Sequence, residues 1–144
     1  MPNSIYTAKA TVTGGRAEGH GRTSDGALDV KLRIPKEMGG EEAGTNPEQL
    51  FAVGYAACFE GALGVVARRQ KADVGEVSID SSVSLFPDGS GGFLLAVGLD
   101  VTLPGLSDAE LAKSIVATAH QVCPYSNATR GNIEVTLTAN GETV

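Results

Sequence analysis

Two cysteines are the side chains of this sequence best suited to covalent chemistry. Cys58 lies within a long apolar stretch, and Cys123 directly precedes Pro124. Burial among apolar residues disfavours the thiolate and raises the pKa of a thiol, so a reactive cysteine there requires a neighbouring cation. The alternative for each cysteine taken singly is an unreactive thiol that packs as a small hydrophobic side chain.

Candidate cations are found on segments that are irregular or rich in glycine. The arginines on such segments are Arg16, Arg22 and Arg130, and each is placed where its side chain can turn inward. Glu48 lies in the first turn of a predicted helix, where a carboxylate is favoured by the helix dipole alone. The residue types therefore allow thiolate chemistry and leave open which arginine takes part.

The elements that must position these side chains follow the order βββαββαβ. Alternation of apolar and polar residues predicts strands over 6–13, 28–34, 77–85, 93–103 and 133–137, with a short irregular strand over 16–23. Helices are predicted over 46–70 and 107–123. This order is typical of an α+β fold with mostly antiparallel strands. The length of 144 residues favours one domain over residues 1–144.

The predicted helices have recognisable starts. Asn46 suits an N-cap, Pro47 suits the first helical position, and Gln49 can complete a capping box. The side chains that follow are apolar nearly all round, which predicts a helix buried on most sides. Ser107 and Glu110 form a second capping-box pattern ahead of the later helix.

Composition and charge exclude several classes of protein. Hydrophobic residues make up 42% of the chain, which is enough to bury a core. A net charge of −6 disfavours binding to nucleic acid or to an anionic membrane surface. The start of the chain lacks a basic patch followed by an apolar run, and glycines and Glu60 interrupt the apolar stretch 50–67. These features predict a soluble cytoplasmic protein, in which thiols are kept reduced.

Several segments together resemble the OsmC/Ohr superfamily. They are TNPEQLF at 45–51 with GYAACF at 54–59, HQVCPYSNATRGN at 120–132, TGGR at 13–16 and DGALDVKL at 25–32. The likeness covers essentially the whole chain in the right order. The stretch CPYSNATRGN is similar to the organic hydroperoxide resistance (Ohr) branch rather than to the OsmC branch proper.

The resemblance implies a thiol-dependent peroxidase that reduces alkyl and fatty-acid hydroperoxides to alcohols. Cys58 would be the peroxidatic thiol, and Cys123 would resolve its sulfenic acid to a Cys58–Cys123 disulfide. Arg16 would hold the thiolate, with Glu48 orienting Arg16. The family also implies antiparallel sheets around two central helices and an intertwined homodimer. No metal or resident cofactor is expected, and a dihydrolipoyl group carried on a protein is the expected reductant.

Helix geometry adds an expectation about how the site is assembled. Glu48 and Cys58 are ten residues apart on one predicted helix, which separates them by about 15 Å along its axis. An arginine spans only part of that distance. If Arg16 contacts both groups, Arg16 and Glu48 therefore come from one subunit and Cys58 and Cys123 from the other.

The sequence leaves three alternative functions open. His120 and Cys123 are spaced as helical neighbours and, with Cys58, suggest a metal site, although no CxxC or HExxH pair is present. An OsmC-type osmotically inducible peroxidase is a second alternative. A non-catalytic redox sensor or a module that binds hydrophobic ligands is a third.

Other expectations concern the surroundings of the thiol. The candidate walls of a substrate pocket are Met38, Phe51, Val53 and Phe59, each of which has packing in the core as its alternative. Residues 36–45 are predicted to form a mobile loop, with no assigned role. Tyr125 and Asn127 either shape the turn after the second cysteine or merely cap it.

Overall fold

The computed structural model describes residues 2–41 and 43–144. Its internal contacts divide the chain into two compact units, one ending at Leu50 and one running from Phe51 to Val144. The prediction that residues 1–144 form one domain stays a prediction.

The first unit contains a three-stranded antiparallel sheet. Its strands are β1 (Ala10–Thr13), β2 (Gly19–Thr23) and β3 (Asp29–Arg33), in the order β1-β2-β3. A four-residue helix, α1 (Gly15–Glu18), separates the first two strands, so Arg16 lies on a helical turn and the strand predicted over 16–23 begins only at Gly19. Gly14 and Gly15 both have positive φ angles, which glycine adopts at little cost and which turn the chain into α1.

Two further expectations for this unit need correction. The strand predicted over 6–13 begins at Ala10, because its partner strand ends at Thr23, the residue paired with Ala10. The predicted loop 36–45 contains a 3-10 turn over Lys36–Met38. Thr45 also forms backbone hydrogen bonds with β3. Glu42 of that loop lies outside the described residues.

The second unit holds a four-stranded sheet and three helices. The strands are β4 (Ser78–Pro87), β5 (Phe93–Thr102), β6 (Glu134–Ala139) and β7 (Glu142–Thr143), in the order β4-β5-β6-β7. The helices are α2 (Pro47–Arg69), of which residues from Phe51 onward belong to this unit, α3 (Ala109–Val122) and α4 (Pro124–Thr129). The predicted α+β class is confirmed, and α4 and β7 are additional elements.

The strand pairing is mostly antiparallel, as the sequence predicted, with one exception. β5 and β6 are parallel, with Leu99 opposite Leu137. The connection between them runs through α3 and α4, and a helical crossover returns the chain to the same end of the sheet, where the next strand runs parallel. All other strand pairs are antiparallel.

The helix caps agree with the sequence in one case and differ by a residue in the other. Asn46 Oδ1 accepts the backbone N–H of Gln49 at 2.8 Å, which confirms Asn46 as the N-cap of α2. In α3 the cap is Asp108, whose carboxylate accepts two backbone N–H groups, and Ser107 is not the cap. Both residue types serve as N-caps, and the aspartate lies one position closer to the first helical residue.

The core of the second unit forms where α2 and α3 pack on one face of the sheet. Its fully buried side chains include Tyr55, Phe59 and Leu63 of α2, Ile115 and Val116 of α3, and Leu99 and Val101 of β5. The opposite face of α2 is open in the single chain, with Val53 72% exposed, so the expectation of burial on most sides is wrong for one chain. By length and composition α2 is also apolar enough to cross a membrane, a property that core helices of soluble proteins share.

Leu99→Ala should destabilise the protein by about 2–5 kcal/mol, because it leaves a cavity at a completely buried position of β5. Denaturant unfolding measures the change. Leu94→Ala on the same strand is the matched control, since Leu94 is 46% exposed, and should cost less than about 1 kcal/mol. Equal losses for the two variants would contradict the assignment of the core.

Candidate active site

The two cysteine sulfurs lie side by side. The thiol of Cys123 donates to Cys58 Sγ across 3.6 Å, and both residues are free thiols. Cys123 is completely buried, whereas Cys58 is partly exposed. A disulfide has its sulfurs about 2.05 Å apart, so the pair is reduced but needs to move by only about 1.5 Å to become bonded. The structure thus brings together two residues that are 65 positions apart in sequence.

The break between two helices fixes the position of Cys123. This residue is both the C-cap of α3 and the N-cap of α4, with an extended backbone at φ −62° and ψ 125°. Pro124 follows it at the first position of α4, which excludes a helical backbone at the preceding residue. The backbone N–H of Cys123 donates to Ala119 O at 2.9 Å and completes the last turn of α3. The Cys-Pro pair therefore turns the chain directly beside α2.

The surroundings of Cys58 keep it protonated unless a cation is supplied. Burial raises the pKa of the Cys58 thiol, the neighbouring Cys123 thiol adds to that rise, and a hydrogen bond from the Tyr125 backbone N–H opposes it. None of these three influences is a positive charge. The thiolate form of Cys58 therefore still requires a neighbouring cation.

Arg16 is held by a carboxylate in the first unit. Its Nη2 donates to Glu48 Oε1 at 2.8 Å and its Nη1 to Glu48 Oε2 at 3.2 Å, the paired geometry of a bidentate ion pair. The hydrogen bond from Arg16 lowers the pKa of Glu48. The carboxylate is mostly buried and the guanidinium is about one-third exposed. The predicted partners Arg16 and Glu48 are thus in contact, and the Glu48 carboxylate fixes the orientation of the Arg16 guanidinium.

The other two candidate arginines have different partners. Arg22 Nε lies 3.4 Å from Asp29 Oδ2 on the sheet of the first unit. Arg130 donates to His120 O at 2.9 Å and to Asn127 Oδ1, so it holds the end of α3 to α4. Asn127 thus holds the Arg130 guanidinium, and its expected role in the turn after the second cysteine stays a prediction.

An aromatic group defined by Phe51, Tyr55 and Tyr125 lies beside the sulfur pair. Ring centroids are 5.9 Å apart for Phe51 and Tyr55, 6.0 Å for Phe51 and Tyr125, and 5.7 Å for Tyr55 and Tyr125. A Cβ at Gly54 would lie 3.3 Å from the Tyr125 hydroxyl, so the glycine leaves room for that ring. Phe51 thus contacts two other rings, and its role as a wall residue stays a prediction.

The other expected wall residues lie elsewhere. Phe59 is completely buried in the core, and Val53 is 72% exposed on the open face of α2. Met38 lies in the 3-10 turn of the first unit and is half exposed. The contacts of Phe51 with Tyr55 and Tyr125 were missed because nothing in the sequence spacing brings aromatic rings of α2 and α4 together.

The imidazole of His120 has a hydrogen-bonded role. Its Nδ1 lies 2.8 Å from Ser126 Oγ, and burial, together with the positive charge of Arg130, lowers the pKa of His120. Among residues 2–41 and 43–144, no cluster of three or more His, Cys, Asp or Glu side chains is arranged to hold a metal ion.

An open groove of about 460 Å³ runs between α2 and β4 in the second unit. Val53, Ala56 and Ala57 line it from the helix and Ile79 from the strand, with Glu60 among its polar edges. Its apolar floor is the face of α2 that the core does not cover.

Comparison with known proteins gives one consistent result. The family model described as OsmC-like protein matches residues 39–138. The organic hydroperoxide resistance protein of Xanthomonas axonopodis pv. citri is 60% identical over 138 residues, which cover 93% of this chain and 94% of that protein.

Solved structures agree with the family match. A proposed organic hydroperoxide resistance protein from Vibrio cholerae, with captopril bound in one of its active sites, has a TM-score of 0.92 and 48% identity, and the match covers 99% of this chain and 96% of that one. The organic hydroperoxide resistance protein OhrB of Bacillus subtilis has a TM-score of 0.84 and 49% identity over 93% of this chain and 98% of that one. This chain therefore belongs to the OsmC/Ohr superfamily, in its organic hydroperoxide resistance branch, as its sequence motifs predicted.

Proposed function

We propose that this protein is a thiol-dependent peroxidase that reduces organic hydroperoxides to alcohols, with Cys58 as the peroxidatic and Cys123 as the resolving cysteine. The observation that carries the proposal is the 3.6 Å separation of two reduced sulfurs beside an aromatic group. The partly exposed sulfur of Cys58 is the one a substrate can reach, and the buried sulfur of Cys123 is the one placed behind it.

The first step oxidises Cys58. Its thiolate attacks one peroxide oxygen, an S–O bond forms, and the O–O bond breaks. The alkoxide takes up a proton and leaves as the alcohol, and Cys58 becomes a sulfenic acid. A guanidinium beside the sulfur stabilises the thiolate before attack and the charge on the peroxide oxygens during it.

The second step protects the oxidised sulfur. The Cys123 thiolate attacks the sulfenic sulfur, the S–S bond forms, and the hydroxyl leaves as water. Thiol–disulfide exchange with an external dithiol then restores both cysteines. We assign this role to a dihydrolipoyl group carried on a protein, so the peroxidase itself needs no resident cofactor.

The cation for Cys58 is assigned to Arg16 of a second copy of the chain. Burial raises the pKa of Cys58, and its neighbours in the second unit supply no positive charge, so the guanidinium must come from elsewhere. Arg16 is bound to Glu48, which lies ten residues before Cys58 on the same helix and about 15 Å from it along the axis. A homodimer with Arg16 and Glu48 of one subunit beside Cys58 and Cys123 of the other removes this mismatch.

The open face of α2 supports the same assembly. The apolar residues Val53 and Ala57 of α2 are exposed and line the groove beside β4. A contiguous apolar face on a soluble domain is typical of a surface that a protein partner covers. A second copy of the chain is the occupant that also completes the site, and the acidic net charge of −6 disfavours a membrane surface. A soluble protein in the reducing cytoplasm follows from this assignment.

Two rings of the aromatic group, Phe51 and Tyr125, account for selectivity toward organic peroxides. Phe51 and Tyr125 offer ring surface that an alkyl chain can cover, with a gain of about 0.8 kcal/mol for each buried CH₂. Hydrogen peroxide has no such chain and gains nothing from the rings.

Turnover tests the function directly. With tert-butyl or cumene hydroperoxide and an excess dithiol, the purified protein should consume many equivalents of peroxide. A redox sensor would consume about one equivalent and a module that only binds ligands would consume none, and either result would overturn the proposal.

Cysteine variants separate the two sulfur roles. Cys58→Ser should abolish turnover, whereas Cys123→Ser should keep the first oxidation and accumulate sulfinic acid under excess peroxide. Mass spectrometry of the oxidised wild-type protein should detect a peptide linkage between residues 58 and 123. Loss of the first oxidation in Cys123→Ser would reverse the roles.

The Arg16–Glu48 pair predicts a pH-dependent contribution to stability. Arg16 lowers the pKa of Glu48 from its ordinary value of 4.5. A lowered pKa contributes stability that is fully present above the unfolded-state value and is lost as the pH falls through the folded-state value. Glu48→Gln should therefore lower Tm at neutral pH, and the difference from wild type should shrink as the pH falls below 4.5.

The matched control for this titration is Glu110→Gln, whose carboxylate pairs with Lys113 at the surface and is 84% exposed. It should change Tm little at any pH, because exposed ion pairs contribute little. A Glu48→Gln deficit that stays constant from neutral pH to pH 3 would contradict the ion pair.

Mixed dimers test the shared site. Arg16→Met and Cys58→Ser should each be inactive alone. Subunit exchange between them should restore roughly a quarter of wild-type activity, because half of the dimers are mixed and each then holds one complete site of two. A site built within one subunit would give no recovery.

A further inference from the structure

A chain of buried hydroxyl groups links the three helices around the cysteines and has no part in the reaction described above. Tyr55 Oη lies 2.8 Å from Ser126 Oγ and 3.1 Å from Thr129 Oγ1. Ser126 Oγ lies 2.8 Å from His120 Nδ1. Tyr55 and Ser126 are completely buried and Thr129 is nearly so. We call these four side chains the hydroxyl network.

Such a network destabilises the fold unless every member has a partner, because a buried polar group without a hydrogen bond loses the hydrogen bonds that it makes to water in the unfolded chain. The lowered pKa of His120 favours a neutral imidazole, whose Nδ1 can accept the Ser126 hydroxyl proton. The Tyr55 hydroxyl can then donate to Ser126 Oγ, while the Thr129 hydroxyl donates to Tyr55 Oη at 3.1 Å. All the hydroxyl groups are satisfied in this arrangement, which ties α4 to α2 through Tyr55 and to α3 through His120.

The element that the network holds is the one that carries the sulfur contacts. Cys123 immediately precedes α4, and the backbone N–H of Tyr125 in its first turn lowers the pKa of the Cys58 thiol. Ser126 lies three residues after Cys123, one helical turn along the chain. A helix of six residues is unstable by itself, so its position depends on the side chains that anchor it.

We propose that Tyr55, Ser126, Thr129 and His120 are positioning residues that hold Cys123 within reach of Cys58 for the resolving step. The inference rests on the proposed peroxidase function. In that step the Cys123 thiolate forms the S–S bond, the S–O bond of the Cys58 sulfenic acid breaks, and the hydroxyl leaves with a proton as water. The sulfurs must shorten their 3.6 Å separation by about 1.5 Å to bond. An anchored α4 keeps that movement small.

The network therefore sets the competition between two fates of the sulfenic acid. In the first, a second hydroperoxide molecule oxidises the sulfenic acid to sulfinic acid and is itself reduced to the alcohol. In the second, Cys123 converts the sulfenic acid to the disulfide. Loosening α4 slows only the second fate. The first oxidation depends on Cys58, its cation and the peroxide, and it stays near the wild-type rate.

Tyr55→Phe is the sharpest test, because it removes one buried oxygen and keeps the ring in its aromatic group. In stopped-flow experiments on the assembled protein, we expect the first oxidation to stay within about twofold of wild type. Disulfide formation should slow roughly five- to tenfold, the effect of losing one hydrogen bond. The sulfinic fraction under excess cumene hydroperoxide, measured by mass spectrometry, should rise in proportion. Tyr6→Phe, which removes the same atom from an 80% exposed tyrosine, should match wild type.

A pair of variants at Thr129 separates the hydroxyl from packing. Thr129→Val keeps the volume and loses the hydroxyl, whereas Thr129→Ser keeps the hydroxyl and loses a methyl group. We expect the valine variant to increase the sulfinic fraction and the serine variant to resemble wild type. This pair also keeps the test decisive if Tyr55→Phe does not fold.

The outcomes distinguish this inference from the function on which it rests. If the wild-type protein is active but Tyr55→Phe and Thr129→Val leave the ratio of disulfide to sulfinic acid unchanged, only the positioning role is overturned. Equal slowing of both oxidation steps would also overturn it. Wild-type protein without turnover would overturn the proposed function first.

Discussion

The site depends on the cost of forming an anion at Cys58. Its sulfur lies in apolar surroundings, 3.6 Å from a second thiol, and both features raise its pKa. A single backbone N–H from Tyr125 opposes them. A reactive sulfur in this position therefore requires a fixed guanidinium, and a guanidinium needs a carboxylate to hold its plane. The Arg16–Glu48 pair has that bidentate geometry.

The fold supplies these groups from few elements. Helix α2 carries Glu48 in its first turn and Cys58 further along, while its buried side chains anchor it in the core. The interruption between α3 and α4 turns the chain at Cys123 and brings the second sulfur against α2. The short α4 is in turn held by buried hydroxyl groups and by Arg130. In the proposed reaction, the reactivity of Cys58 thus depends on the Arg16–Glu48 pair, whereas the position of Cys123 depends on the side chains that hold α4.

The sequence predicted those features that depend on local chemistry or on motifs. The Asn46 cap follows from residue type and position, and the cysteine pair and the Arg16–Glu48 pair follow from the family resemblance. Features that depend on three-dimensional packing were not predicted. The parallel pairing of β5 with β6 follows from the helical crossover between them, and α4 begins at Pro124, directly after the predicted end of the later helix.

The aromatic and hydroxyl partners of Tyr55 were also beyond the sequence, because Ser126 and Thr129 lie more than 70 residues from it along the chain. Their residue types are common on any helix and carry no signal by themselves. The same holds for the open face of α2, since a helix that is apolar all round predicts burial without saying whether its own chain or a second copy provides it.

Titration of the Cys58 thiolate in the assembled protein shows whether Arg16 lowers the pKa of this sulfur. The Cys123→Ser variant keeps Cys58 as the single cysteine of the chain. The absorbance of the Cys58 thiolate is followed against pH with and without the further change Arg16→Met. We expect Cys58 to be ionised at neutral pH when Arg16 is present and protonated when Arg16 is replaced. A Cys58 that stays protonated at neutral pH with Arg16 in place, or that titrates identically in both proteins, would contradict this expectation.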